Sequence, residues 1–362
     1  MAKRINKIQS FLNEKGIDAL LLTSKTMKKW MSTMLGSGCR VLMTQKQGYL
    51  ILDGRYITEA KEKEHDLEIV LHNPHTTGQS YLAAVLKILQ DEHCHSLGVE
   101  ASEVLVKEYQ KLQSLNVDIH LLDDDIMNLR IIKDEEEIKA METCIALTDE
   151  IYAKVIEKIH VGMSEYEISA LVQYYAIASG AQQMSFDTVV TSGERTALPH
   201  GRPTDRKVKA HEPIMIDFGI QYENYQSDMT RVCFIGEPAY EYKKIYDVVL
   251  KAQLAGLDAI QSGVKASDVD LAARTVIEEA GYGDYFDHGL GHGIGVTDSG
   301  EGPILNSTSS TILKDHMMMS CEPGVYVPGV GGIRIEDDVV IINGKGIPMN
   351  KTTKDYIILE EK

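Results

Sequence analysis

Hydrophobic positions in the first third of the chain alternate between helical spacing and short continuous runs. The segment RINKIQSFLNEKG, residues 4–16, places Ile5, Ile8 and Phe11 on one helical face and ends at a glycine, so it predicts an amphipathic helix. Strands are predicted where short apolar runs lie between turn residues: DALLLT, RVLMT, GYLILD and EIVLH. A helical pattern, SYLAAVLKILQDEH, follows. We therefore expect a mixed α/β domain at the N-terminus.

Longer helical patterns dominate the rest of the chain. Asp134 with Glu137, and Ser164 with Glu167, have the spacing of a capping box, and each pair predicts a helix start. Two more helical patterns follow: EYKKIYDVVLKAQLAGLDAI and Ser267 to Gly281. The predicted strands are DTVVTS, PIMIDFGI, SDMTRVCFIG and IRIEDDVVII. Helices that alternate with antiparallel hairpins predict an α+β domain.

Chain length and one acidic stretch predict two domains. A chain of 362 residues exceeds one ordinary hydrophobic core. The acidic stretch LLDDDIMNLR separates the two patterns described above and predicts a boundary near residue 125. We therefore expect a smaller mixed α/β domain over residues 1–125 and an α+β domain over residues 126–362.

The composition excludes several classes of partner. The formal net charge of −17 argues against nucleic acid and anionic membranes, because both are bound through basic patches. No apolar run approaches the roughly 18 residues of a membrane helix, and the first residues show no export signal. The five cysteines are scattered without a CxxC pair, which is typical of a reducing compartment. We expect a cytoplasmic protein that binds neither nucleic acid nor membrane.

Two acidic residues lie in neighbouring strand patterns joined by a turn. In PIMIDFGIQYENYQSDMTRVCFIG, a turn centred on Tyr222 and Glu223 would place Asp217 directly opposite Asp228. Two opposed carboxylates repel each other, and a cation between them removes the repulsion. The hairpin therefore predicts a cation site.

Two further carboxylates and one imidazole extend this site. Glu322 precedes a Gly/Pro-rich loop, and Glu336 lies on the following strand pattern with Arg334 on the same side, so Arg334 is a candidate for orienting a ligand carboxylate. His292 lies in the glycine-rich run GLGHGIG, which lacks the strand–turn–helix context of a phosphate loop. Four carboxylates with one imidazole favour two divalent cations that share bridging carboxylates.

Five ordered motifs resemble those of the pita-bread metallopeptidases: FDTVVTSGERTALPHGRPTDR, IDFGIQYENYQSDMTR, GLGHGIG, CEPGVY and GIRIEDDVV. The resemblance is to the proline-specific branch, which comprises Xaa-Pro dipeptidase (prolidase) and aminopeptidase P. The segments GSGCRVLMT and YLILDGRYITEA resemble the creatinase-type domain that precedes the catalytic domain in that family. The resemblance covers nearly the whole chain. It implies an α+β pita-bread catalytic domain after a smaller creatinase-type domain, assembled as a homodimer.

The resemblance also implies a set of metal ligands: Asp217, Asp228, His292, Glu322 and Glu336. Asp228 and Glu336 would bridge both cations. Asp217 would serve one cation alone, and His292 with Glu322 would serve the other. An oxygen-rich site with one imidazole suits Mn²⁺ or Co²⁺ best, with Zn²⁺ as a further candidate.

The chemistry implied by the resemblance is hydrolysis of the peptide bond before proline. A hydroxide bridging the two cations would attack the carbonyl, and Glu322 would handle its proton. His200 and His288 match family histidines that contact the substrate or stabilise charge at the reacting carbonyl. The implied substrate is a small peptide with proline at its second position.

The chain departs from the family pattern after GHGIG. The family usually has a histidine seven residues beyond the metal-binding histidine, where it donates to the developing oxyanion, and this chain has Ser299 there and one residue added to the loop. Three explanations of this departure are open. Another group replaces the histidine as hydrogen-bond donor, the substrate differs from an ordinary Xaa-Pro peptide, or catalysis is weak. The alternative function is therefore a catalytically weak or non-catalytic metal-binding pita-bread protein.

We predict that Ser299→His, alone or with the added loop residue deleted, raises the turnover of an Xaa-Pro dipeptide. An oxyanion donor contributes about 10²–10³ in rate, and an imidazole reaches further than a serine hydroxyl. Steady-state kinetics of the Mn²⁺-loaded protein measures the effect. Ser299→Ala is the control, because it adds no donor. No gain in a folded, metal-loaded histidine variant would contradict this account of the loop.

Overall fold

The computed structural model describes residues 1–62, 66–73, 78–297 and 301–361. It forms two compact units, Met1–Arg130 and Ile131–Lys362. The acidic stretch at the predicted boundary forms a helix. Ser299 lies outside the described residues. No helix in the described ranges is long and apolar enough to cross a membrane.

The first unit contains a six-stranded sheet in its described residues. Its strands are β1 (Ala19–Leu22), β2 (Arg40–Thr44), β3 (Gly48–Asp53), β4 (Glu68–His72), β5 (Ser96–Val99) and β6 (Asp118–Leu121). Its helices are α1 (Ala2–Lys15), α2 (Lys25–Trp30), α3 (Ile57–Glu62), α4 (Tyr81–Asp91), α5 (Val106–Gln113) and α6 (Asp124–Ile131). The strand order is β4-β3-β2-β1-β5-β6, with both parallel and antiparallel pairs. The predicted mixed α/β class is confirmed.

Four long helices flank the sheets of the second unit within the described residues: α7 (Glu135–Ile156), α8 (Glu165–Ala178), α9 (Tyr240–Ala259) and α10 (Ala266–Glu279). Both predicted capping boxes are present. At α7, the Asp134 carboxylate accepts from the Glu137 N–H at 2.9 Å, and the Glu137 carboxylate accepts from the Asp134 N–H at 2.9 Å. These bonds satisfy amide groups that have no partner inside the helix, which fixes where α7 begins.

Short strands make up the rest of the second unit. They are β7 (Gln183–Met184), β8 (Val189–Ser192), β9 (Pro213–Phe218), β10 (Ile220–Tyr222), β11 (Tyr225–Gln226), β12 (Met229–Ile235), β13 (Gly291–Gly293), β14 (Glu301–Leu305), β15 (Met318–Cys321), β16 (Gly324–Val327), β17 (Gly331–Arg334), β18 (Asp337–Ile342), β19 (Lys345–Pro348) and β20 (Ile357–Leu359). The two larger sheets have the orders β20-β12-β9-β8 and β14-β13-β15-β18-β19. Two smaller sheets have the orders β11-β10-β7 and β16-β17.

Alternation along β9 divides its side chains between two hydrophobic cores. Ile214 and Ile216 pack with residues of α7 and α8, whereas Met215 packs with residues of α9 and α10. Asp217 continues the Met215 side of the strand, so its carboxylate lies on the face away from α7 and α8. Each fully buried isoleucine contributes about 1.5–3 kcal/mol, which holds this strand in register.

The hairpin that joins β9 to β12 corrects one sequence prediction. Its turn lies at Glu223 and Asn224, both with positive φ (49° and 72°), one residue later than predicted. Asp217 therefore lies opposite Thr230, and not opposite Asp228. The reason is local, because two consecutive positive φ angles define the favoured two-residue hairpin turn and asparagine tolerates that conformation.

Gly219 lies in this hairpin between the residues that pair. A Cβ atom at Gly219 would lie 1.7 Å from the backbone oxygen of Ser227. The absence of a side chain therefore lets the two chain segments approach each other. This approach brings the backbone before Asp228 close to the end of β9.

We predict that Gly219→Ala lowers the free energy of unfolding of the second unit by at least about 1–3 kcal/mol, because the added methyl group overlaps a backbone atom that cannot rotate away. Thermal unfolding followed by circular dichroism measures the change. Gly54→Ala is the control: its Cβ would meet nothing closer than 3.9 Å, and its effect should stay within about 0.5 kcal/mol. Equal stability of the two variants would contradict the predicted clash.

Candidate active site

One cavity of the second unit, with a volume of about 560 Å³, is lined by all eight residues predicted from the sequence as metal ligands or catalytic groups. These residues are His200, Asp217, Asp228, His288, His292, Glu322, Arg334 and Glu336. They come from segments far apart in the sequence, so the fold brings them together. The wall also contains apolar side chains: Phe186, Val189, Pro199 and Ile304.

The glycine-rich run contains β13, which lies between β14 and β15 and carries His292. A Cβ atom at Gly291 would lie 2.2 Å from the Ser320 backbone oxygen, and one at Gly293 would lie 2.0 Å from the Gly302 backbone oxygen. Close packing on both sides thus explains why glycines flank the histidine. The strand holds the imidazole at a fixed depth in the cavity.

The hydrogen bond of His292 determines which ring nitrogen has a lone pair available to bind a cation. Its Nδ1 lies 3.1 Å from the Gly293 carbonyl oxygen. Because a carbonyl oxygen can only accept, Nδ1 carries the hydrogen and neutral His292 keeps a lone pair on Nε2. That Nε2 lies 3.6 Å from Asp228 Oδ2 and 3.4 Å from Glu322 Oε1. A nitrogen lone pair and two carboxylates that face one another are arranged as ligands around a cation would be.

The carboxylates differ in their distance from this imidazole. Ligand atoms of Asp228, His292 and Glu336 all lie within 4.8 Å of one another. Glu322 approaches His292 as described, and its Oε1 accepts a hydrogen bond from Ser320 Oγ at 3.0 Å. Asp217 lines the same cavity outside the three-residue group. The structure therefore shows one compact group of three residues with two further carboxylates beside it.

Several carboxylate oxygens of the cavity lack a hydrogen-bond partner. Among the described residues, Asp217 Oδ1, Asp228 Oδ1 and Glu336 Oε1 are buried and accept no hydrogen bond. Burial raises the pKa of Asp228 well above its usual range, and nearby Glu336 raises it further. Burial likewise raises the pKa of Glu336, with Glu322 adding to the effect. Burying an anionic oxygen without a hydrogen-bond partner costs free energy. A divalent cation would remove this cost, and the carboxylate and imidazole donors fit such a cation.

Arg334 supplies buried positive charge at this site and orients two carboxylates. Its Nη2 donates to the Asp217 carboxylate. Its Nε donates to Thr230 Oγ1 at 2.9 Å, and that hydroxyl donates to Glu336 Oε2 at 2.6 Å. Burial raises the pKa of Asp217, and the Arg334 guanidinium opposes that rise. Arg334 therefore fixes Asp217 directly and Glu336 through Thr230.

The strand predicted over IRIEDDVVII is divided in the structure. β17 ends at Arg334 and β18 begins at Asp337, so Glu336 lies in the connection between them. The Glu336 N–H donates to the Thr230 backbone oxygen at 3.2 Å, outside either ladder. The chain changes from one sheet to another at this point, and sequence alternation does not reveal such a change.

Tyr326 is a residue of the site that the sequence analysis missed. Its hydroxyl accepts from Arg334 Nη1 at 2.8 Å and lies 3.0 Å from His288 Nε2. His288 Nδ1 lies 2.8 Å from the Gly289 carbonyl oxygen, so Nδ1 carries the hydrogen and Nε2 accepts from the tyrosine. Burial raises the pKa of Tyr326 to about 12 and lowers the pKa of His288. Both groups are therefore neutral near pH 7.

Strand pairing places Thr230 and Tyr326 at the site. Thr230 lies two residues beyond Asp228 and so shares its face, but the misplaced turn concealed that it opposes Asp217. Tyr326 lies two residues beyond Gly324, which pairs with Arg334 in the β16–β17 ladder. Correct pairing of these strands would have found both residues.

The comparison with protein families agrees with this fold. Residues 139–343 match metallopeptidase family M24, and residues 4–132 match the creatinase/prolidase N-terminal domain. The chain belongs to metallopeptidase family M24. The family, the pita-bread fold class and the hydrolase class predicted from the sequence are thereby confirmed.

Individual relatives cover nearly the full chain. It is 33% identical over 360 residues to the Xaa-Pro dipeptidase of Pyrococcus horikoshii, and the alignment covers 99% of each chain. It is similar in structure to an Xaa-Pro dipeptidase from Bacillus anthracis, with a TM-score of 0.93, 33% identity and 99% of each chain covered. It is also similar to an X-Pro aminopeptidase from Thermotoga maritima, with a TM-score of 0.88, 34% identity, and 95% of this chain and 98% of that chain covered.

We predict opposite effects of Asp228→Asn without and with metal. In metal-free protein the substitution should raise the melting temperature by about 2–4 °C, because it removes one of several crowded buried charges. Mn²⁺ at about 100 times its Kd should stabilise the wild type by about 2.7 kcal/mol and the variant by less. Differential scanning calorimetry measures both effects.

Asp205→Asn is the matched control for this experiment, because Asp205 is exposed and does not line the cavity. It should leave the metal-free melting temperature and the response to Mn²⁺ unchanged. If Asp228→Asn destabilised the metal-free protein and responded to Mn²⁺ like the wild type, the cavity would not be a crowded cation site.

Proposed function

We propose that this protein is a dinuclear-metal-dependent peptidase that hydrolyses the peptide bond preceding proline. The observation that carries the proposal is one cavity in which two carboxylates, Asp228 and Glu322, lie beside His292 Nε2. In the same cavity, among the described residues, one oxygen each of Asp217, Asp228 and Glu336 is buried without a hydrogen-bond partner. Membership of family M24 supports the hydrolase chemistry. Two of its relatives, an Xaa-Pro dipeptidase and an X-Pro aminopeptidase, support the specificity for proline.

In this proposal the residues that hold the two cations are Asp217, Asp228, His292, Glu322 and Glu336. Asp228 and Glu336 would serve both cations. The oxygen-rich donor set favours Mn²⁺ or Co²⁺, and Zn²⁺ is a further candidate. When bound, two such cations supply a water of lowered pKa and polarise the carbonyl to be attacked.

The side chains of the cavity then transfer the proton, bind the substrate and hold the carboxylates in position. Glu322, steadied by Ser320 Oγ, takes the proton of the attacking water and passes it to the proline nitrogen. His200 lines the cavity and donates to the reacting carbonyl. Tyr326 and the Gly289 carbonyl engage both nitrogens of His288, which therefore contacts the substrate through its ring face or after rotation. Arg334 keeps Asp217 and Glu336 in position.

The proposed substrate is a small peptide with proline at its second position. Its free amine carries a positive charge and approaches the carboxylates of the cavity. We further propose that the protein acts as a homodimer in the cytoplasm, which rests on the family resemblance, the acidic composition and the scattered cysteines.

We predict that metal-free protein reconstituted with Mn²⁺ or Co²⁺ hydrolyses Ala-Pro but not Ala-Ala, and that a chelator abolishes the activity. Glu322→Gln should lower kcat by about 10²–10⁴, because the amide cannot accept the proton of the attacking water. Liberated amino acids report the rate, and elemental analysis reports bound metal for each variant.

Two outcomes would contradict the proposed function. Hydrolysis that is independent of added metal would exclude the cation site as the source of activity. Tight metal binding without cleavage of any Xaa-Pro peptide would instead support the non-catalytic metal-binding alternative raised by Ser299.

A further inference from the structure

The rim of the cavity carries an ion pair that the proposed chemistry does not use. Arg202 Nη1 donates to the Asp187 carboxylate, and both residues line the cavity. Their side chains are 68% and 74% exposed, so solvent screens the pair and it holds the guanidinium only weakly. The Arg202 side chain can therefore exchange Asp187 for another carboxylate.

The backbone of Arg202 is fixed although its side chain is exposed. Its carbonyl oxygen accepts from Arg195 Nη2 at 2.8 Å, and Arg195 in turn pairs with the fully buried carboxylate of Glu165. His200 lines the same cavity two residues earlier. One anchored segment thus contributes both His200 and the cation at the rim.

Charge is distributed unevenly along the cavity. The interior is lined by four carboxylates: Asp217, Asp228, Glu322 and Glu336. Among the described lining residues, Arg202 and Arg334 carry permanent positive charge, and Arg334 is already bonded to Asp217, Thr230 and Tyr326. Arg202 is therefore the cation of this lining that remains accessible to an anionic ligand.

A dipeptide matches this distribution of charge. Its ammonium group is attracted by the interior carboxylates, and its carboxylate at the other end is attracted by a guanidinium at the rim. Two extended residues span at most about 7 Å, so both ends can lie within one cavity of this size. The apolar side chains of Phe186, Pro199 and Ile304 line the same cavity and can pack against a proline ring.

We propose that Arg202 binds the free C-terminal carboxylate of an Xaa-Pro dipeptide and makes the enzyme a dipeptidase. The inference rests on the proposed function and deepens it, because the relatives include both dipeptidases and an aminopeptidase. Arginine suits this role because its planar guanidinium offers two parallel N–H groups to a carboxylate. A peptide that continues beyond proline, or ends in an amide, has no free carboxylate on the proline residue for Arg202 to bind.

The test compares Ala-Pro with its C-terminal amide and with Ala-Pro-Ala on the Mn²⁺-loaded enzyme. The wild type should prefer the free acid. Arg202→Gln should lower kcat/KM for Ala-Pro about 10- to 100-fold, mainly through KM, because a charge-assisted hydrogen bond is lost. The same variant should change kcat/KM for the amide by less than about twofold. Arg202→Lys keeps the positive charge but lacks the two parallel N–H groups. Its kcat/KM for Ala-Pro should lie between those of the wild type and Arg202→Gln.

Lys207→Gln is the matched control for net charge. Lys207 is exposed, pairs with Glu167 at 3.0 Å and does not line the cavity, so its loss should leave the ratio of acid to amide unchanged. Asp187→Asn should lower KM for Ala-Pro and not for the amide, because it removes the carboxylate that competes for Arg202.

The outcomes separate this inference from the proposed function. If the wild type cleaves Xaa-Pro substrates and Arg202→Gln leaves the ratio of acid to amide unchanged, the role of Arg202 is overturned and the peptidase stands. Efficient cleavage of Ala-Pro-Ala by the wild type, equal to that of Ala-Pro, likewise overturns it. If the wild type cleaves none of these peptides, the proposed function falls and this inference falls with it.

Discussion

Uncompensated negative charge in a buried cavity is the constraint on which the catalytic unit depends. Asp228 and Glu336 lie beside His292 with oxygens that accept no hydrogen bond from the described residues, and Arg334 compensates chiefly for Asp217. A folded protein tolerates such crowding when the carboxylates take up protons or bind cations. The hydrogen bonds from Thr230 and Ser320 orient the carboxylates without neutralising them. The arrangement therefore fits a binding site for divalent cations.

Strands and short connections hold these groups, so their positions are set by sheet packing. Asp217 belongs to the β9–β12 hairpin, His292 to β13, and Arg334 to β17. Each strand has hydrophobic neighbours on at least one side, and the hydrophobic cores flanking β9 fix the direction in which Asp217 points. Side chains on packed strands are held more precisely than side chains on free loops. The rim, where Arg202 and Asp187 are exposed, is the less constrained part of the cavity.

Local patterns in the sequence predicted the elements well, and contacts between elements were harder to predict. The capping boxes at Asp134 and Ser164 and the face of Asp217 followed from short-range spacing. The turn at Asn224 shifted the hairpin by one residue, since backbone conformation at that asparagine decides the pairing. The ladder between β16 and β17, which brings Tyr326 beside Arg334, joins segments whose spacing shows no periodic signal. Spacing and residue type alone selected the five candidate ligands, and the resemblance to known proteins added His200 and His288.

The two glycines that flank His292 bear on how this protein can diverge. Neighbouring backbone oxygens leave no room for a side chain at Gly291 or Gly293, so point mutation cannot move the imidazole along its strand or enlarge the residues beside it. At the mouth of the cavity, by contrast, exposed side chains can be exchanged at little energetic cost. Substitutions at the mouth can therefore alter which peptides bind, while the strand that carries His292 stays unchanged.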